Sequence, residues 1–377
     1  MIFIYASTFV IVFGSGIVRP LLPLFAQDLG ASYFDLGLIG TAFSLPYMVL
    51  PALIGALSDR YERKYFFLTG TSSCVVSLVL LLWASSVQHI VAIRLLGGIA
   101  YAFVWPTAEA LIADVTTSER RTRALGRFGF SWSIGFLIGP FFGGLILEKS
   151  SFFFLFLIAS LISTAAPLIS FYGLAHHRFK SKETKPLIEG SRSTSIIASL
   201  PIYLVIVSYS YAFGVLLSLF PAYASAVGVS SLEIGILFGT FGVARTLIYL
   251  FSEEVSRIGV KRSLGLALVI LAASLVAISY LKGFNHFVVA TALMGLAVGM
   301  LYPITFSVAS KTAPRGRLGM MMGLMEALFG IGMTLGSFIG GIAADSLDAT
   351  SPYVIAAAVS SLTLIPVALW KEKPEKL

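Results

Sequence analysis

An all-α membrane protein, with twelve transmembrane helices in two pseudo-symmetric six-helix bundles, is the fold class that three observations predict. Charged residues are 12% of the chain, against roughly 25% in soluble domains, while hydrophobic residues are 57% and mean hydropathy is +0.92. A spanning helix needs about 20 mostly apolar residues. Segments 2–25, 33–57, 65–86, 89–112, 125–147, 152–173, 199–224, 232–251, 263–281, 285–309, 318–342 and 352–370 come within a few residues of that length. The third observation is internal repetition at an offset of 197 residues. Gly98 maps to Gly295, Pro106 to Pro303, Arg120 to Arg317, Gly135 to Gly332, Gly139 to Gly336, Gly143 to Gly340 and Gly144 to Gly341.

The repeat divides the chain into an N-terminal bundle, residues 1–173, a polar linker, 174–198, and a C-terminal bundle with a short tail, 199–377. Of the 26 Lys and Arg residues, 21 fall in the linker, the tail and the loops on the linker's side, and only Lys149 and Lys282 fall opposite. That bias predicts both termini and the linker in the cytoplasm of a cell-membrane protein, with the basic linker near the anionic leaflet. Arg19, Arg94 and Arg245 remain inside predicted spans. The net charge of +8 therefore reflects topology and does not point to nucleic acid. The single cysteine, Cys74, forms no intrachain disulfide and reads as a small buried hydrophobe. The N-terminus lacks the charged start and cleavage site of a signal peptide, so the chain is expected to begin in its first span.

Along the first span lie Gly14, Gly16, Arg19, Pro20 and Pro23. The glycines admit a close neighbour and the prolines loosen the hydrogen-bond ladder. Arg19, in the outer third, either faces the bundle interior or snorkels to the outer headgroups. The second span runs into GALSDRYERK, residues 55–64, where Asp59 stands placed to accept bonds from a neighbouring helix N-terminus and Arg63 and Lys64 read as membrane anchors. At the same offset stands SEEVSRIGVK, with Arg257 matching Arg60 and Gly259 standing at the position of Glu62.

The fourth span carries Arg94, Gly97, Gly98, Tyr101, Trp105, Pro106, Glu109 and Asp114. Fifteen residues separate Arg94 from Glu109, about 22 Å along a helix, so each needs a partner on another helix or water. Tyr101 and Trp105 are candidates for the substrate cavity, and Asp114 reads as a gate residue facing Arg120, Arg121 or Arg123. The fifth span reads Gly135, Gly139, Pro140, Gly143 and Gly144, a groove with a kink that predicts a pliable seam between bundles. In the second half, Tyr211 on the seventh span is a further cavity candidate, Arg245 lies on the eighth, and Glu326 stands near the middle of the eleventh. Glu326 is expected either to carry a proton or to pair with Arg245.

Residues 55–64, RLLGG at 94–98 and GxxxGPxxGG at 135–144 resemble, respectively, the cytoplasmic-loop, fourth-helix and fifth-helix signatures of the major facilitator superfamily. Glu62 departs from the loop signature, which usually has glycine there and a tight turn. The resemblance implies a gating ion-pair network around Asp59 and Arg60. The fifth-helix signature is associated with antiporters, chiefly drug and metabolite exporters.

No GxxxxGK[ST] motif, metal-ligand cluster or nucleophile arrangement is present in the sequence, and the adjacent His176 and His177 read as loop residues. The expectation is a monomeric secondary transporter rather than an enzyme, with no cofactor and no nucleotide, alternating access about a central cavity. The first reading is proton-coupled export of amphiphilic compounds or drugs, with Glu326 or Glu109 as the coupling group. The alternative is uptake or exchange of an anionic metabolite through Arg19 and Arg94. A sensor or scaffold is the third reading.

Overall fold

The computed structural model describes the backbone of residues 1–116, 118–174, 196–250, 259–312 and 318–370, and their side chains except at 59, 118–123, 125, 196–199, 249–250, 309–312, 318–320 and 322. The first bundle comprises α1 (Ile2–Val18), α2 (Leu22–Asp28), α3 (Tyr33–Arg60), α4 (Arg63–Leu80), α5 (Val87–Asp114), α6 (Ser118–Lys149) and α7 (Phe152–Leu174). The second comprises α8 (Ile196–Ser218), α9 (Phe220–Ala226), α10 (Ser231–Leu250), α11 (Val260–Tyr280), α12 (Phe284–Thr312), α13 (Leu318–Ser346) and α14 (Ser351–Leu369). Counting α1 with α2 as one span, twelve described helical stretches are long and apolar enough to cross a membrane.

Each bundle opens with a broken span. α1 stops at Val18 and the chain resumes as α2 with Pro23 in its first turn, where the missing N–H costs nothing; Pro221 takes the same place in α9. After the break, Gly30 and Gly228 turn at φ 85° and 90°, a conformation open to glycine and strained for other residues. The next helix is then capped reciprocally. Ser32 Oγ accepts from Asp35 N–H at 3.2 Å while the Asp35 carboxylate accepts from Ser32 N–H at 3.0 Å. Ser230 and Glu233 repeat this at 3.3 and 2.8 Å. Pro23 and Pro221, Gly30 and Gly228, and Ser32 and Ser230 are all 198 apart, so the first two spans of each half keep a register one residue off the 197 of the later ones. The turn after α3 differs between halves. Gly259 takes φ 94° while Glu62, its counterpart, takes φ −67°. The tight glycine turn is thus absent from the first half, and the chain passes Glu62 in ordinary extended geometry.

In a bilayer, helices gain nothing by hiding apolar surface from water, so close van der Waals approach holds them together. Gly135, Gly139 and Gly143 of α6 lie against the backbone of α1, and Gly332, Gly336 and Gly340 of α13 lie against α8 and the start of α9. These stripes act within a bundle. The fifth-span motif is therefore not wholly an inter-bundle seam: of its glycines and proline, Gly144 and Pro140 turn to the other bundle, against Leu232 and Gly235 of α10, while Leu137 packs on Gly242 of the same helix. The symmetric contact is Gly341 of α13 against Gly37 of α3.

The Gly144 and Gly341 contacts lie at the side away from the chain termini. There, Asp345 at the end of α13 accepts from the Tyr33 N–H that opens α3, at 3.0 Å. Glu148 at the end of α6 accepts from the Leu232 N–H near the start of α10, at 3.4 Å. Each carboxylate thus meets the positive end of a helix in the opposite bundle. Asp348, in the loop before α14, accepts from the hydroxyl and N–H of Thr350, which hold its carboxyl below the ordinary aspartate value. Deeper in, Thr334 of α13 donates to Ser44 of α3 at 2.9 Å. Near mid-span Gly330 of α13 meets the Met48 backbone of α3; nearer the terminal side Gly55 of α3 and Gly323 of α13 meet open space, and a cleft opens towards the linker.

A methyl group added at Gly336 would fall inside contact distance of the Tyr211 backbone, whereas one at Gly265 meets open space. Gly336→Ala is expected to cost about 1–3 kcal/mol, read as a lower thermal midpoint in detergent, and Gly265→Ala is expected to leave the midpoint in place. Removing both far-side carboxylates, Asp345→Asn with Glu148→Gln, is expected to raise several-fold the rate at which a cysteine-reactive reagent applied from that side labels a near-isosteric Ser218→Cys, buried at the seam against Gly40.

Candidate functional site

The cleft ends at a cluster drawn from both bundles. Tyr47 of α3 donates its hydroxyl to Glu326 Oε2 of α13 at 2.7 Å, a hydrogen bond spanning the two halves. Glu109 of α5 is exposed on the cleft wall within electrostatic range of Glu326, and Tyr47 is within range of both Glu109 and Tyr302. The fold thus gathers the two candidate coupling carboxyls, remote in sequence, around one phenol. Tyr302 stacks on Phe306 of α12 with ring centroids 4.4 Å apart.

The expected pairing of Glu326 with Arg245 does not form. Arg245 is buried on α10 and crosses to α6, its guanidinium 5.1 Å from the Trp132 ring and 4.9 Å from the Phe136 ring. Its register directs it to the α6 face, while Glu326 belongs to the α13 face. Tyr47 and Arg245 are 198 apart and occupy matching places in the repeat. The two halves therefore make the same crossing with different chemistry, a hydrogen bond on one side and a cation–π contact on the other.

An aromatic ladder leads from Arg245 into the first bundle. Trp132 lies 5.6 Å from Trp105, Trp105 6.2 Å from Tyr101, and Tyr101 5.3 Å from Phe43. Phe43 carries two cations, Arg19 at 4.8 Å and Arg94 at 4.1 Å from its centroid, and Arg19 also lies 4.9 Å from Tyr101. Arg19 faces the bundle interior, partly buried. The RLLGG stretch explains the geometry: Gly98 has no side chain to fend off the Phe43 backbone, so α5 and α3 close up and Arg94, one turn earlier, reaches the ring. Tyr101 shares a 2.5 Å hydrogen bond with Ser15. Tyr211, expected at the cavity, is only 4% exposed in the core of the second bundle with Gly336 against its backbone. Its helix turns that face away from the cleft.

At the terminal side, Asp114 pairs with Arg63 at 2.6 Å, and Arg63 also donates to the Ala110 carbonyl at 3.2 Å. Arg63 is therefore a buried tie between α4 and α5 and not a surface anchor, because the short turn at Tyr61 and Glu62 brings the start of α4 under the end of α5. Lys64 pairs with Glu62 at 2.9 Å. Arg60 ends α3 exposed. The side chain of Asp59, those of Arg120, Arg121 and Arg123, and all of Arg257, His176 and His177 lie outside the described residues. Among the described residues, no three His, Cys, Asp or Glu side chains group as metal ligands.

Sequence reading missed Tyr47, Phe43 and Arg63. The proline pair Pro46 and Pro51 around Tyr47, and its register with Arg245, were the available signals for the first. An apolar Phe43 and a loop-edge Arg63 gave none.

The sequence family described as Major Facilitator Superfamily matches residues 4–252 and 202–377. Multidrug resistance protein 2 of Bacillus subtilis (strain 168) is 26% identical, with 99% of this chain and 95% of that protein covered. Quinolone resistance protein NorA of Staphylococcus aureus is 25% identical, covering 99% and 97%. Among solved structures, nucleoside transporter NupG superposes with a TM-score of 0.76 at 15% identity, covering 99% of each chain. The human organic anion transporter MFSD10 gives 0.71 at 19%, covering 97% and 98%. At those identities the structural likeness speaks for the fold alone.

Breaking a buried ion pair by removing one partner costs about 3–5 kcal/mol. At the largely buried Arg63–Asp114 pair, which lies near the membrane edge, the lower end of that range is expected for Arg63→Met, read as a fall in thermal midpoint. Asp114→Asn made in the Arg63→Met background is expected to cost much less than Asp114→Asn alone.

Proposed function

The chain belongs to the major facilitator superfamily and is a secondary transporter of small molecules, and from that premise we propose that it exports amphiphilic compounds in exchange for protons. The observation that carries this reading is the Tyr47–Glu326 hydrogen bond between bundles, with Glu109 beside it. In the proposed orientation, supported by the bias of 21 basic residues to 2, the terminal side is cytoplasmic and the cleft opens inward.

A hydrogen bond to an ionised acceptor is worth about 1.5–3 kcal/mol. The Glu326 carboxylate therefore holds α3 to α13 in the inward-open arrangement, and its protonation weakens that tie by enough to shift a two-state balance about tenfold or more. Proton and cargo need not touch, since each only has to prefer a different state. Glu109, exposed one helical turn beyond Trp105 on α5, supplies an anionic spot beside an aromatic face. That combination suits a lipophilic cation, whose apolar body stacks while its charge is matched. The drug-resistance names of the curated relatives lend weight to the same cargo class.

Proteoliposomes with an imposed pH gradient and an internal pH dye test the proposal. Lipophilic cations such as ethidium are expected to trigger proton movement, carboxylates and sugars are not. Glu326→Gln is expected to lower proton-driven flux at least tenfold, and Tyr47→Phe several-fold, with monodisperse protein in both. Undiminished coupled flux in Glu326→Gln, or a response to carboxylates alone, overturns the reading.

A further inference from the structure

Arg19 and Arg94 place two cations inside the first bundle against one phenyl ring, so the guanidinium carbons are no farther apart than 4.8 and 4.1 Å laid end to end. Guanidinium stays charged in proteins, so neither group escapes by losing its proton. Arg19 Nε and Nη2 and Arg94 Nε are buried with no hydrogen-bond partner among the described residues, and no described carboxylate pairs with either arginine. The Phe43 and Tyr101 faces attract both cations, yet a ring face carries no net charge and leaves in-plane N–H groups unsatisfied. Two like charges with several orphan donors are an incomplete site.

Beside them are two narrow cavities. One is lined by both arginines with Ser15, Ser77 and Gly97, and has room for only a few water-sized particles. The other is lined by both arginines with Gly40, and by Ser218 and Met333 of the second bundle. The arginines thus face the far-side seam, and a tilt that parts Gly40 from Ser218 opens them to that side.

We infer that the Arg19–Phe43–Arg94 stack binds a small inorganic monovalent anion of the halide class. The ion neutralises the pair, accepts the orphan N–H groups and fits a space too tight for a metabolite. It enters from the far side when the seam parts and is enclosed in the state seen here. This site is separate from the Tyr47–Glu326–Glu109 cluster, and its existence does not depend on which cargo is carried.

The test is the thermal unfolding midpoint of the purified full-length protein in detergent, as sodium gluconate is replaced at constant ionic strength by chloride, bromide, nitrate or formate. A saturable rise with chloride and bromide is expected. Arg19→Lys and Arg94→Lys each keep a charge while losing the fork of donors, and each is expected to raise the half-saturating concentration at least tenfold. Lys149→Ala, at an exposed far-side cation, is expected to leave it unchanged. No saturable response, a response to formate alone, or one unaltered in both lysine variants overturns the inference. Should the variants fail to fold, bromide anomalous scattering from crystals of the unaltered chain decides: a peak beside the two guanidinium groups is expected, and its absence overturns the assignment.

Discussion

Backbone meeting backbone through glycine is the constraint on which the molecule rests. In hydrocarbon there is no reward for covering apolar surface, so two helices stay together only if their main chains come close enough for dispersion to accumulate over many atoms. α6 and α13 each use a glycine stripe for the first span of their own bundle and turn a glycine near the far end, Gly144 or Gly341, to the opposite one. The same helix is thus both a pillar of its bundle and a hinge plate against the other. Because those last contacts sit at one end, the bundles meet there and diverge at the other.

That geometry makes the mid-span crossing points consequential. Near the far side the seam is backbone, glycine and two carboxylates on helix N-termini, all of which symmetry duplicates. At the apex of the cleft, symmetry is broken. Tyr47 and Arg245 hold matching places, and one reaches an acid while the other reaches two aromatic rings. A frame of two equal halves can rock; what it responds to is set by the residues that differ. A hydrogen bond to a carboxyl is sensitive to protonation, while a guanidinium over an indole is not, so only one of the two crossings can read pH.

The three intramembrane arginines share a solution to a common problem. A charge in the membrane needs compensation, and a carboxylate partner is the familiar form. Here the partners are aromatic, and the rings form a nearly continuous ladder from Phe43 through Tyr101, Trp105 and Trp132. Such faces soften the cost of burial without neutralising the charge. They leave guanidinium donors on all three arginines without a hydrogen-bond partner among the described residues.

The number of spans, their order and the duplication were legible in the chain itself, because span length is dictated by bilayer thickness and apolar composition, both local properties. The break near Arg19 was also marked, by Pro20 and Pro23. Glu109 and Glu326 stood out as costly groups, and Arg19 and Arg94 as needing an interior. Which groups would meet was decided by tertiary structure. Whether Glu326 finds Arg245 or Tyr47 depends on the rotation of α13 against α3, and a turn of one helix by a single residue, about 100°, exchanges its neighbours. The same holds for Arg63, whose role follows from the short Tyr61–Glu62 turn, and for Phe43, which no composition rule would single out. Sequence names the groups a membrane makes expensive; only packing assigns their partners, because helix rotation and crossing are set by contacts summed over both bundles at once.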